Sequence, residues 1–267
     1  IEKESIQTIQ NSMICLSKNF KDEYVNAFAE GTGLPVRDYS QDDGESTVLI
    51  RGMGKRKLIW QCWEQGRKFY YMDSGYVGNY PSAQNPYGWK KWHRIVPNDL
   101  QHREIQERPA DRWRKLDYPI RPRKQGTHIL LVLPSEKPCK FYGIDAQEWK
   151  RETVAKLKLY TERPIVVREK QPRRQRMQKS IFDDLKDCHC LVTYQSVAAV
   201  ESVLFGVPAI TLAPTAADSV CEKNLSKVET PSWPDQITRE KWAHHLAYGQ
   251  YHIDELKNGY ANFLLQG

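Results

Sequence analysis

The sequence predicts an α/β fold of two halves, each an open sheet alternating with helices, with a long basic segment between them. Three observations predict it. Short β-branched runs alternate with amphipathic runs up to Asp73 and again after Gly126. The later strands end in small polar residues that precede a helix, most plainly in Cys190 to Pro214, CLVTYQSVAAVESVLFGVPAITLAP. The alternation lapses from Gly75 to about Gly126, a span too long for an ordinary connection.

In chain order, Ser12 to Leu16 reads as a first strand and Lys21 to Gly31 as its helix. Val48 to Arg51 is the second strand. After Gly52-Met53-Gly54, a helix over Lys57 to Gly66 carries Leu58, Ile59 and Cys62 on one side, and a strand over Phe69 to Met72 sets Asp73 at its carboxyl end. Open parallel sheets bind ligands outside the carboxyl ends of their strands, so Asp73 is a candidate functional residue. Asp42, Asp43 and Glu45 read as a solvated turn. The second half opens with a strand over Thr127 to Leu133, continues with a helix over Ala146 to Tyr160, a strand over Pro164 to Arg168 and a helix over Ile181 to Lys186. Leu191, Val192 and Thr193 follow as a buried parallel strand. Ser196 is placed to cap a helix over Val197 to Phe205, whose Val200, Val203 and Leu204 form the apolar stripe. Glu201 sits one turn in, on a neighbouring face. Gly206 and Pro208 stop that helix before a strand over Ala209 to Leu212, and Thr238 to Leu265 reads as helical.

The 267 residues hold one large or two small domains. No run of about 18 apolar residues and no signal-peptide pattern occurs, so a cytoplasmic protein is expected. The 6 cysteines are sparse for a disulfide scaffold, and reduced thiols are expected. Cys188-His189-Cys190 has no second Cys/His pair at zinc spacing, so no metal is expected there.

Charge is concentrated rather than spread. Between Trp89 and Gly126 stand 11 basic and 5 acidic residues, a local balance of +6 within a net charge of +7. Trp89, Trp92, Trp113 and His93 are interleaved with them. Basic charge beside aromatics suits phosphate contacts with base stacking, which makes Trp89, Lys90, Lys91, Trp92, Arg94, Arg112 and Arg114 candidates for nucleic-acid binding. The plainer alternative is a basic loop anchored to the core by its tryptophans.

The order strand, Ser-x4-Glu on a helix, Gly-x-Pro, preceded by ILLVLPS and PIVVREK, resembles the donor-binding half of glycosyltransferases with two Rossmann-like domains, the GT-B type. The resemblance implies an α/β fold of two such domains with a cleft between them and a long basic loop-rich insertion. Residues 1–125 would form the acceptor-side domain, with the insertion at 75–125. Residues 126–267 would bind the nucleotide sugar, with a C-terminal helix returning to the first half. It further implies that Ser196 and its neighbour Gln195 contact the donor phosphates and that Glu201 bonds the ribose hydroxyls. Ser135 is a weaker phosphate contact, while Arg168 and Lys170 neutralise the departing diphosphate, so that no metal or other cofactor is required. A UDP-sugar is the expected donor. Asp73 is the first choice for the base and His93 the second. Joined to the basic segment, the resemblance points to a bacteriophage enzyme glycosylating hydroxymethylated pyrimidine in DNA, the target nucleotide being flipped out. The alternatives are a cytosolic transferase for capsular or lipid-linked polysaccharide, and a non-catalytic nucleic-acid-binding protein on a transferase-like fold.

Overall fold

The computed structural model describes residues 13–79, 91–170 and 180–266. Ser12, Trp89, Lys90, Arg173, Arg174 and Arg176 lie outside the described residues. The chain divides into two compact units, unit 1 from residues 1–79, 90–100 and 248–267, and unit 2 from 80–89 and 101–247.

Unit 1 is built on β1 (Met13–Leu16), β2 (Val36–Arg37), β3 (Thr47–Arg51), β4 (Phe69–Ser74), β5 (Trp92–Pro97) and β10 (Gln250–His252), in the sheet order β10-β5-β4-β3-β1-β2. The first four strands are parallel to one another, whereas β5 runs antiparallel to both β4 and β10. Helix α1 (Glu23–Thr32) starts at Asp22, whose carboxylate accepts from the Tyr24 and Val25 N–H groups, and ends at Gly33 in the left-handed region. Helix α2 (Arg56–Gln65) ends the same way at Gly66. Val25, Phe28 and Ala29 of α1 bury against Cys15, Leu49, Met72, Ile95 and Tyr251, which alternate onto one face of the sheet.

Two expectations are corrected here. The span from Gly75 to Gly126 is not irregular throughout, because β5 lies inside it and pairs along its length with β4. His93 and Arg94, on opposite faces of β5, are both buried, and polar residues at core positions hide the apolar alternation that marks a strand. The helical span Thr238 to Leu265 is three helices and a strand: α8 (Gln236–Tyr248), β10, α9 (Ile253–Lys257) and α10 (Tyr260–Gln266). Gly249 and Gly259 mark the breaks. Gly259 has φ +82°, and a Cβ on Gly31 of α1 would fall 2.0 Å from the Leu256 carbonyl oxygen, so only glycine permits this approach of α9 to α1.

Unit 2 holds β6 (His128–Val132), β7 (Ile165–Arg168), β8 (Cys188–Thr193) and β9 (Ala209–Thr211), all parallel, in the order β7-β6-β8-β9. The remaining helices are α3 (Asp111–Leu116), α4 (Glu136–Tyr142), α5 (Ala146–Leu157), α6 (Ile181–Leu185) and α7 (Ala198–Phe205). Leu157 of α5 packs on Ile129, Leu131, Cys190 and Val192, which share one face of the sheet. The opposite face receives α6 and α7. β8 is buried at every residue, as an apolar central strand should be, whereas Val166 and Val167 of β7 are partly exposed at the sheet edge.

Candidate functional site

In unit 2 the chain leaves β6 for β7 on one side and returns from β7 to β8 on the other. The carboxyl ends of β6 and β8 therefore flank a topological switch point, where open α/β sheets hold their ligands. Ser135 follows β6, and Tyr194, Gln195 and Ser196 follow β8. Ser135 stands at the N-cap of α4 without using its side chain as a cap. Ser196 lies one residue further from its helix than expected, since Val197 is the cap of α7, yet its Oγ still accepts from the Ala198 N–H at 3.2 Å. Gln195 is buried and its Oε1 faces Gln101 Nε2 at 3.5 Å. Gln101 Oε1 and both ring nitrogens of His245 are buried without a hydrogen-bond partner among the described residues. Groups of this kind are costly unless a water or a ligand meets them.

Glu201 lies on α7 with its carboxyl partly buried. Burial pushes its pKa up to about 7, against the opposing charge of Arg168. Arg168 occupies the last position of β7, beside Val132 of β6, and so points to the face covered by α6 and α7. Its Nη1 pairs with the buried Asp184 of α6. Arg168 thus belongs to an Asp184–Arg168–Glu201 group on one face of the sheet, whereas Ser135, Gln195 and Ser196 lie along its carboxyl edge. Lys170 is exposed beyond β7.

In unit 1, Asp73 ends β4 with its side chain 29% exposed. Its Oδ1 accepts from Arg51 Nη1 at 3.1 Å and from the Ser74 N–H at 2.7 Å, and its Oδ2 accepts from the Tyr71 hydroxyl at 2.7 Å. Burial raises its proton affinity, but the charges of Arg94 and Arg51 with these hydrogen bonds outweigh that and hold the carboxyl well below the usual range. Asp73 is therefore an ionised, well-held carboxylate and a weak base. Of about four lone-pair sites on a carboxylate, three are occupied. His93 is fully buried, stacked on Tyr24 at 3.7 Å, with Nε2 facing Arg51 Nη2 at 3.1 Å. A guanidinium donates there, so Nε2 is the accepting nitrogen of a neutral ring. Arg51 joins the two candidate bases, and sequence reasoning missed it because only the register of β3, β4 and β5 brings the three together.

Part of the basic segment is engaged within the protein. Arg94 is buried, lies over the Tyr71 and Tyr76 rings, and donates to the carbonyls of Leu100 and Ser74. Arg112 is buried on α3 and donates to the Ala247 carbonyl. Arg103 pairs with Asp218 at 2.8 Å. Arg121 and Lys124 lie over the Phe205 ring, and their N–H groups reach the Leu204 and Gly206 carbonyls at the end of α7. Trp92 meets His252 edge-on, and Trp113 is buried. Of the nucleic-acid candidates among the described residues, Lys91 and Arg114 are exposed.

Among the described residues no group of three or more His, Cys, Asp or Glu is placed to hold a metal ion, and no helix is long and apolar enough to cross a membrane. All 6 cysteines are free thiols.

No protein-family model matches the sequence, and no curated protein matches it. The structure is similar to that of the Thermosulfurimonas dismutans KpsC beta Kdo 2,4 transferase, with a TM-score of 0.55 and 13% identity over 95% of this chain and 97% of that one. It is also similar to the KpsC beta Kdo 2,7 transferase of the same organism, with a TM-score of 0.51 and 11% identity over 94% of this chain and 99% of that one. At these identities the likeness is one of fold alone: a mixed α/β chain with two parallel-rich sheets.

Proposed function

We propose that the chain is a glycosyltransferase that moves a sugar from a nucleotide-activated donor to a hydroxyl of a glycan. The observation that carries this reading is the switch point of unit 2, where Ser135, Gln195 and Ser196 stand along one sheet edge, in a chain whose fold is that of two sugar transferases over nearly its whole length. Unit 2 takes the donor. The first N–H groups of α7 and the hydroxyls of Ser135 and Ser196 meet the donor phosphate, and Glu201 bonds the ribose. During transfer the acceptor oxygen attacks the anomeric carbon, the bond from that carbon to the phosphate oxygen breaks, and the nucleotide leaves with the electron pair. Helix N–H groups that face the growing negative charge stabilise that departure.

Unit 1 takes the acceptor. The fourth lone-pair site of Asp73 accepts a hydrogen bond from the acceptor hydroxyl and orients it; as the oxygen bonds to the anomeric carbon its proton passes to solvent water, since Asp73 is too weak a base to keep it. Because Asp73 is held ionised, this assistance persists to low pH, and His93 supports it through Arg51. A glycan acceptor is favoured over hydroxymethylated DNA because Arg94 and Arg112 are buried, and Arg103, Arg121 and Lys124 pair or stack within their own unit. The two structurally similar proteins, both Kdo transferases, point the same way.

The test is incubation with a panel of nucleotide sugars, UDP-sugars and CMP-sugars included, each with acidic oligosaccharides, neutral oligosaccharides and hydroxymethylated DNA, read by mass spectrometry. Transfer to an oligosaccharide is expected. Transfer to DNA alone restores the phage-enzyme reading, and no transfer from any donor removes the enzymatic one.

A further inference from the structure

Unit 1 has a switch point of its own. The chain passes from β1 to β2 on one side and from β2 back to β3 on the other, so the carboxyl ends of β1 and β3 part there. A cavity of about 260 Å³ lies at that place, with Ser17, Lys18, Lys21, Tyr39, Arg51 and Lys55 in its wall and Asp22 as its one acidic residue. Three lysines, with Arg51 already paired to Asp73, stand against Asp22, so the wall keeps a positive excess suited to negative charge.

The wall is held in position. Arg51 is fixed by Asp73 at 3.1 Å, and its Nε, 3.8 Å from Asp22, is buried without a hydrogen-bond partner among the described residues. The Tyr39 hydroxyl accepts from the Arg51 N–H at 3.3 Å, and Lys55 Nζ stands 3.6 Å from the centre of the Tyr39 ring. Burial, and then the charge of Lys18, lower the proton affinity of Lys55, with Asp38 acting the other way. Like charges kept together in this manner repel one another until an anion joins them. The loop after β1 adds a separate sign. Asn19 and Phe20 have φ of 52° and 57°, left-handed values that are costly for non-glycine residues and gather at ligand sites. Phe20 is 52% exposed on that loop.

We propose that this cavity binds a sugar-borne oxyanion, a carboxylate or a phosphate, and thereby selects an acidic acceptor. The volume suits a single sugar unit rather than a drug-sized ligand. The word acceptor rests on the reading of the chain as a glycosyltransferase, whereas the anion site rests on unit 1 alone.

The experiment is calorimetric titration of the full chain with glucuronate, glucose 6-phosphate and neutral glucose, repeated in Lys18→Gln/Lys55→Gln and in Lys21→Gln. Nucleotide binding is measured on the same samples. The acidic sugars are expected to bind and glucose not to bind. The double variant should weaken acidic-sugar binding about tenfold or more and Lys21→Gln less, with nucleotide affinity unchanged, and added salt should weaken the contact further. The stronger of the two acidic arms identifies carboxylate or phosphate. Acidic sugars that bind no better than glucose, or that bind the double variant as well as the wild type, overturn the proposal. Loss of nucleotide binding with retained acidic-sugar binding instead sinks the donor reading and leaves this one standing.

Discussion

At Glu201 a carboxyl that ordinarily titrates near 4.5 keeps its proton to about 7, because the packing around α7 removes water from it. The sign follows from linkage. Between these values the native state holds a proton that the unfolded chain has lost, so this residue's contribution to stability is fully present below 4.5 and is lost as pH rises towards 7. Glu201→Gln should therefore raise the melting temperature relative to wild type at pH 8 and leave it nearly unchanged at pH 4, as scanning calorimetry would read. Asp73 carries the opposite sign, since its folded pKa is depressed. Its contribution is present above the ordinary aspartate range and is lost as pH falls through the folded value. Asp73→Asn leaves Arg51 and Arg94 without their shared carboxylate, and should cost about 3–5 kcal/mol in denaturant unfolding, with the gap from wild type narrowing in strong acid. The places of Ser196 just before α7 and of Glu201 on it were legible in the sequence because both follow from local helix geometry, although Val197 and not Ser196 is the cap. Arg51 was not, since only sheet pairing brings β3 to β4 and β5.

The elements show how local rules and tertiary pairing divide the fold. Helix α7 was readable nearly to the residue, because Gly206 and Pro208 end it and its stripe repeats at helical spacing. The partner at its end was not readable. Residues 121–124 lie against the end of α7, with the Arg121 and Lys124 N–H groups satisfying carbonyls left open by the last turn. A Cβ on Gly206 would stand 2.2 Å from the Pro122 carbonyl oxygen, at φ +95°. Gly206→Ala should thus cost on the order of 2–4 kcal/mol, by denaturant unfolding, from backbone strain and the clash together. Arg121→Met should cost only about 0.5–1 kcal/mol, the scale of one exposed cation–π contact. β5 and β10 escaped sequence reasoning for one shared physical reason: each is short, carries polar residues inward, and is a strand only because β4 or β5 lies beside it.

For the whole molecule, the net charge of +7 is a poor guide to the partner, because burial and internal pairing decide which charges a partner can meet. The account predicts weak binding of hydroxymethylated duplex DNA, with a dissociation constant no tighter than about 10⁻⁶ M at physiological salt, the non-specific range. Fluorescence anisotropy across a salt series would measure it, and nanomolar binding with a steep salt slope would reopen the nucleic-acid reading. In the proposed reading the switch point of unit 2 holds a nucleotide sugar with Glu201 among its contacts. The most direct measurement is calorimetric titration of the nucleotide-sugar panel into the wild-type chain and into Glu201→Ala. The account predicts saturable binding of at least one nucleotide sugar, weakened in the variant by about 1–3 kcal/mol, the scale of a lost hydrogen bond to a charged group. No binding by any member of the panel, or equal affinity in the two proteins, would contradict it.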